Sequence, residues 1–228
     1  MADPTADDPL AQRLQQLRRR LPPASRLLAV SKGQSAEAIR RAVAAGQRSF
    51  GESRLQEATA KQDCLADLAP LDWHFIGRLQ ANKARGVLRR FGTLHSVDSL
   101  ALARRLARIA AEEGLAPAVF LQVKLRPDPG KTGFSEAELR RDWPEIASLA
   151  PLRPVGLMTI APLGLAETER RALFRQCASL AGELGLAELS MGMSGDWQEA
   201  AAAGSTWVRL GTALFGDRGG TDSATTLP

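Results

Sequence analysis

The 228-residue chain has no tyrosine, and aromatic residues make up only 5% of it. A platform that stacks nucleic-acid bases needs aromatic rings in number, so this shortage argues against one. Cysteine is nearly as scarce. Cys64 and Cys177 stand far apart, in segments that read as helices. Two isolated thiols make no disulfide framework and suit a reducing cytoplasm. No apolar run approaches the length of a membrane span. The N-terminus, Met1 to Asp8, is acidic and contains proline; without a basic n-region and an apolar h-region it is no secretory signal, and residues 1–8 read as disordered. Lysine is confined to Lys32, Lys61, Lys83, Lys124 and Lys131. Surface charge has gone to arginine, so each lysine that remains is more informative than usual.

What is present points to one soluble domain. Hydrophobic residues make up 44% of the chain, enough for one sizeable core. The net charge is +5 and the pI about 9.9, a balance that can signal nucleic acid. The basic residues, however, are scattered as arginine pairs along amphipathic helices (Arg40-Arg41, Arg89-Arg90, Arg104-Arg105), and no nucleic-acid partner is expected.

Short apolar runs alternate with helical patterns throughout. A helix over 9–20 carries Leu10, Leu14 and Leu17 at helical spacing and stops at Pro22-Pro23. Strand one is 26–31. Ser35 caps a helix to Ala45, and a strand at 48–50 leads to a helix over 53–67. A third strand spans 72–77, a helix 79–90, and a fourth strand 93–97. Asp98 is expected to cap the next helix, over 99–113, which Gly114 ends. Strand five, 118–125, runs into a Pro/Gly-rich loop, 126–133, and Ser135 caps a helix to about 149. Strand six is 154–160, followed by a helix over 166–184. Strand seven is 189–192, Ser194 is expected to cap a helix through Ala203, and strand eight is 206–210. Residues 9–217 thus form one domain, and 218–228 a loose tail. Eight strand–helix units with short loops imply parallel strands and right-handed crossovers. The predicted fold is a single α/β domain, a closed (β/α)8 TIM barrel with an extra N-terminal helix. An open doubly wound sheet is the competitor, but no Gly-x-Gly-x-x-Gly follows strand one.

A barrel works at the carboxyl ends of its strands. There the sequence places Lys32, Ser53, His74, Lys124, Met158, Ser194, Gly195, Arg209, Gly211 and Thr212. A lysine closing the first buried strand has two readings. It snorkels to solvent, or burial disfavours its ammonium form and makes it an amine nucleophile. Ser194-Gly195 and Gly211-Thr212 follow strands seven and eight, where barrels commonly hold phosphate on backbone amides and hydroxyls. They also read simply as an N-cap and a turn glycine. An amine opposite an anion site fits a ligand carrying both an aldehyde and a phosphate. Pyridoxal 5'-phosphate satisfies this; so does the substrate of a sugar-phosphate aldolase.

Nine ordered motifs resemble the YggS/PROSC family of pyridoxal phosphate homeostasis proteins over about residues 26–217. They are Ala29-Val30-Ser31-Lys32, Phe50-Gly51-Glu52, Trp73-His74-Phe75-Ile76-Gly77, Leu79-Gln80-x-Asn82-Lys83, His95-Ser96-Val97-Asp98-Ser99, Gly130-Lys131-Thr132-Gly133, Gly156-Leu157-Met158, Gly192-Met193-Ser194-x-Asp196 and Val208 to Gly216. The resemblance implies a barrel like the N-terminal domain of alanine racemase, with pyridoxal 5'-phosphate held as a Schiff base on Lys32. It implies phosphate contacts at Ser194, Gly211 and Thr212, beside Gly195, with Arg209 facing the pyridine nitrogen and Ser53, His74 and Met158 also in contact. Lys131 matches a lysine of the family's mobile loop, linked there to cofactor handling. Two departures stand out. Ser53 replaces the family's usual asparagine, and Gly33-Gln34-Ser35 follows Lys32.

The implied role is holding and supplying the cofactor, with apo forms of pyridoxal phosphate-dependent enzymes as recipients. Arginine cannot take up the ring proton, so Arg209 weakens the electron sink. A racemase also needs an acid–base group on each face of the substrate α-carbon. In alanine racemase the second is a tyrosine from a partner subunit, and this chain has none. His74 is the substitute in principle, although a packed histidine is its simpler reading. A racemase-like enzyme is therefore the alternative function. The missing tyrosine and second domain also remove the usual reason for an obligate dimer, so a monomer is expected.

Overall fold

The structure, a computed structural model, describes residues 8–68 and 70–216. Its elements follow in order: α1 (Pro9–Arg20), β1 (Arg26–Val30), α2 (Ala36–Ala44), β2 (Ser49–Glu52), α3 (Leu55–Cys64), β3 (Asp72–Phe75), a 3-10 turn (Ala81–Lys83) running into α4 (Ala84–Arg90), and β4 (Thr93–Val97). Then come α5 (Leu100–Glu113), β5 (Ala118–Gln122), α6 (Glu136–Ser148), β6 (Arg153–Met158), α7 (Glu167–Glu183), β7 (Glu188–Ser190), α8 (Trp197–Ala202), β8 (Trp207–Leu210) and α9 (Thr212–Phe215). Each strand pairs in parallel with its neighbours in sequence, and β8 returns to β1 with Arg26 to Ala29 opposite Trp207 to Leu210. The predicted eight-stranded barrel is therefore the observed one.

Local chemistry explains most boundaries. Ser35 accepts from Ala38 N and opens α2. Gly114, at φ 66°, closes α5. Ser135 and Glu138 make a reciprocal capping box at α6. Two caps differ from expectation. Ser99, not Asp98, accepts the Leu102 amide and caps α5. Asp196, not Ser194, stands at the start of α8, where its Oδ1 accepts from Met193 N at 2.6 Å. Ser99 has the extended backbone that lets its hydroxyl face the open amides of α5, whereas the Asp196 side chain ties back to the turn before α8 and caps no amide of that helix. Asp8, expected to be loose, caps α1 and ion-pairs with Arg41. The remainder of that expected disordered segment, residues 1–7, and the expected tail, 218–228, lie outside the described residues.

Most apolar side chains pack between barrel and helices, in two clusters. A smaller cluster, Leu28, Phe120, Met158 and Trp207, comes from β1, β5, β6 and β8. Strands on opposite sides of a barrel can bring side chains together only inside it, so this cluster is the interior filling. Gly156 lets β6 and β7 approach: a Cβ there would lie 2.0 Å from the Glu188 carbonyl oxygen. No helix among the described residues is long and apolar enough to cross a membrane.

Candidate functional site

β1 stops at Val30, and the chain turns through Ser31 to Gly33, whose φ is 72°. Lys32 sits in that turn, exposed. The burial that the sequence argument invoked for this amine is not present, because the strand ends two residues before it. What is buried is the clamp beneath the turn. Ser31 Oγ donates to Glu52 Oε1 at 2.7 Å. Lys61 Nζ donates to Ser31 O, Glu52 Oε1 and Glu57 Oε1 at 2.7, 2.8 and 2.6 Å. Gly33 N donates to the same Glu57 oxygen at 2.5 Å. Burial raises the Glu52 pKa against the opposing pull of Lys61 and Ser31. Its second oxygen, Oε2, is a buried atom without a hydrogen-bond partner. Sequence reasoning missed this cluster. The signal was there: Glu57 and Lys61 lie four apart, in the order that favours an ion pair on a helix.

Across the mouth, the loops after β7 and β8 meet. Thr212 Oγ1 donates to Ser194 Oγ at 3.1 Å, and Ser194 Oγ accepts from Ala213 N at 3.3 Å. Ser194 therefore serves the start of α9 rather than α8. A Cβ on Gly195 would meet nothing within 4 Å, and one on Gly211 would make only ordinary contacts, the nearest 3.5 Å from Val30 O. The chain's own packing requires glycine at neither place. Both leave open backbone beside two hydroxyls, a cradle that larger side chains would fill.

Arg209, on β8, lines the same mouth and is buried. Its Nη1 donates to Ser190 O at 2.6 Å and Ser190 Oγ at 2.7 Å, and its Nη2 to Thr159 O at 3.0 Å. Burial pushes its pKa down to about 10, so it remains a cation at neutral pH. The loop bearing Lys131 is pinned at its base, where Lys124 N donates to Phe134 O and Phe134 N to Gln122 O. Gln122 Nε2 holds it further down through Thr132 O, at 2.6 Å.

The mouth encloses one cavity of about 600 Å³, within the usual range for small ligands. Lys32, Ser53, Lys131, Met158, Ser194, Gly195, Arg209, Gly211 and Thr212 all line it, as the sequence placed them. His74 does not. Ile76 takes the place at the mouth, and His74, two residues earlier on β3, is buried beneath it, between Asp72 and His95. The packed reading of His74 is the one the structure gives. Lys124, placed by sequence at the end of strand five, is exposed and outside the cavity; β5 ends at Gln122, which lines it. Arg78 and Met193 also line it without having been expected. Among the described residues, no carboxylate, imidazole or thiol lines it. Among the described residues no cluster of His, Cys, Asp or Glu could hold a metal ion.

The chain's similarities agree with this geometry. The family profile described as alanine racemase, N-terminal domain, matches residues 7–219. A protein of Synechocystis sp. named pyridoxal phosphate homeostasis protein is 50% identical over 204 residues, 87% of this chain and 94% of its own length. The structure of PipY from Synechococcus elongatus with PLP bound superposes with a TM-score of 0.88 at 53% identity, covering 91% of this chain and 100% of PipY. Alanine racemase of Clostridium difficile shares the fold, with a TM-score of 0.75 at 17% identity over 95% of this chain and 59% of the racemase.

Proposed function

Since the chain belongs to the pyridoxal phosphate homeostasis protein family, built on the alanine racemase N-terminal domain, we propose that its barrel mouth binds pyridoxal 5'-phosphate and takes part in holding and supplying that cofactor, without robust catalysis of its own. One observation carries the reading. A primary amine, a two-hydroxyl cradle with open glycine backbone, and a buried guanidinium line a single cavity.

The residues fit the group. Pyridoxal 5'-phosphate, when bound, supplies an aldehyde that amines attack reversibly and a ring that draws electrons. Lys32 Nζ is the amine for a reversible covalent linkage, and its exposure at the mouth leaves it open to the ligand. Ser194, Thr212 and the backbone at Gly195 and Gly211 receive the phosphate. Val30, Ile76, Met158 and Ile160 give the flat ring apolar walls. Arg209 offers donors only, so it can hydrogen-bond an unprotonated ring nitrogen and cannot accept a proton from it. Ser53 offers a single hydroxyl where the resemblance leads one to expect an amide.

Among the described residues, the lining supplies no carboxylate, imidazole or tyrosine to work the far side of a substrate. General acid–base help is worth about 10²–10⁴-fold, and its absence disfavours an efficient racemase. Apo pyridoxal phosphate-dependent enzymes are the proposed recipients, and the protein is proposed to act as a monomer in the cytoplasm.

The test is the visible spectrum of the protein with and without pyridoxal 5'-phosphate, then borohydride reduction and peptide mapping. A band that reduces to an adduct on Lys32, and is lost in Lys32→Ala, is the expected result. An adduct spread over surface lysines would sink the assignment. Exchange of an amino acid's α-hydrogen in deuterated buffer at a useful rate would favour the racemase-like enzyme. A reducible adduct with a sugar phosphate and none with pyridoxal phosphate would favour the aldolase.

A further inference from the structure

Both histidines of the chain lie inside the barrel, a region that such barrels usually fill with Val, Ile and Leu. They belong to a continuous row of hydrogen bonds. Arg209 Nη1 donates to Ser190 Oγ at 2.7 Å. Ser190 Oγ lies 2.7 Å from His95 Nδ1. His95 Nε2 lies 2.8 Å from His74 Nδ1, and His74 Nε2 lies 2.6 Å from Asp72 Oδ2. The row begins at the mouth and passes from β8 and β7 to β4 and β3. It ends at a carboxylate whose side chain is 49% exposed. That carboxylate stands at the first residue of β3, the barrel end opposite the mouth.

The two ends set the direction of the row. A guanidinium only donates and an ionised carboxylate only accepts. Burial pushes the Asp72 pKa up, but bonds from His74 and Ser49 outweigh it and hold the group below its usual value. His74 therefore carries a proton on Nε2, facing Asp72. With Nε2 the protonated nitrogen of His74, its Nδ1 accepts from His95 Nε2, and His95 Nδ1 accepts from the Ser190 hydroxyl. Burial, with His74 and Arg209 as neighbours, pushes the His95 pKa well below 6.5, which agrees with a neutral ring. Ser190 Oγ then keeps its lone pairs for Arg209. In the opposite direction, that oxygen would accept from both His95 Nδ1 and Arg209 Nη1, and neither of these partners could take the hydroxyl's own proton. The other groups facing the row are Phe120, stacked on His95 at 4.3 Å, Trp207, edge-on to His74 at 4.7 Å, and Arg26, whose charge acts on Asp72.

We infer that Asp72 is a positioning residue for the mouth. From the far end of the barrel it fixes the tautomers of His74 and His95, and through Ser190 it fixes the seat of Arg209 against the ring nitrogen of the bound cofactor. The inference rests on the reading of the mouth as a pyridoxal 5'-phosphate site. A fully satisfied buried row of this kind holds a single geometry, and a half-satisfied one does not.

The test reads tautomers in ligand-free protein and cofactor loading in the same variants. In protein without a histidine tag, the two imidazoles give the whole ring spectrum. Two-bond ¹H–¹⁵N correlations at neutral pH should show a proton on Nε2 of both rings and none on His95 Nδ1. Asp72→Asn can donate as well as accept. It should keep a cooperative melt, shift His95 toward a proton on Nδ1, and weaken loading roughly three- to tenfold, the scale of one net hydrogen bond. Asp72→Glu should recover most of the loading. A wild-type His95 protonated on Nδ1 overturns the inference, and this outcome needs no variant to fold. A His95 pattern or a loading untouched by Asp72→Asn also overturns it. Wild-type protein that shows the expected tautomers but takes up no cofactor overturns the binding reading and the link from Asp72 to the ligand, while leaving the polarised row in place, so the two failures are distinguishable.

Discussion

Lys61 and Lys32 show how differently two lysines serve one site. Lys61 is buried and neutralises Glu52 and Glu57 beneath the turn that carries Lys32. Removing its charge leaves carboxylates in the interior without a cation. Lys61→Met should therefore cost about 3–5 kcal/mol, read as a lower midpoint in urea unfolding, and should disorder the Lys32 turn before it touches the phosphate cradle. A loss under 1 kcal/mol would show that Glu52 takes up a proton instead. The thiols differ as sharply. Cys177 is fully buried, and burial pushes its pKa up to about 12, whereas Cys64 is exposed. A thiolate-directed reagent should titrate one thiol in the native protein and two in denaturant. Two fast thiols in the native state would contradict the packing of α7.

The loop between β5 and α6 is the element for which a role in handling, rather than binding, is proposed. It is tied at its base by the Lys124–Phe134 and Phe134–Gln122 bonds, and folded at its tip by Gly130 N and Lys131 N donating to Asp128. Lys131 stands on that tip, exposed, at the rim of the cavity. That exposed position at the rim is what supports a proposed role while the ligand enters or leaves. Lys131→Ala should leave equilibrium loading largely intact and slow transfer of cofactor to an apo-enzyme several-fold, measured as the regain of the recipient's activity. Transfer at the wild-type rate would remove the loop from the mechanism. Among the strands, the end of β5 was also the least legible in the sequence. The apolar run continues to Leu125, but ladder pairing stops at Gln122 because the returning loop takes the next backbone groups through the Val123–Phe134 bridge.

For the whole molecule, closure of the barrel determines both stability and site. Its interior holds a neutral histidine, His95, that the unfolded chain would charge. The folded pKa is lowered, so below about 6.5 the unfolded state binds more protons and stability falls as pH falls, down to the folded value. Melting temperature should drop from pH 7 to pH 5 more steeply in the wild type than in a folded His95 variant that does not titrate; equal slopes would show that other groups carry the effect. Much of this molecule was determined by sequence alone. Eight apolar runs alternating with capped amphipathic helices leave few ways to bury both faces of a parallel sheet, and residues at strand ends then point to one mouth. Lys32, Ser194, Arg209 and Thr212 were legible for that reason: period and position suffice to place them. Depth inside the barrel was not legible. Strand alternation tells which face a side chain takes but not its level along the axis, which depends on stagger between strands. Only closure sets His74 below Ile76, joins it to His95 and Asp72, and joins Lys61 to Glu52 under the Lys32 turn. Those contacts bring together residues from separate strands and helices, and no local pattern encodes the distance between them.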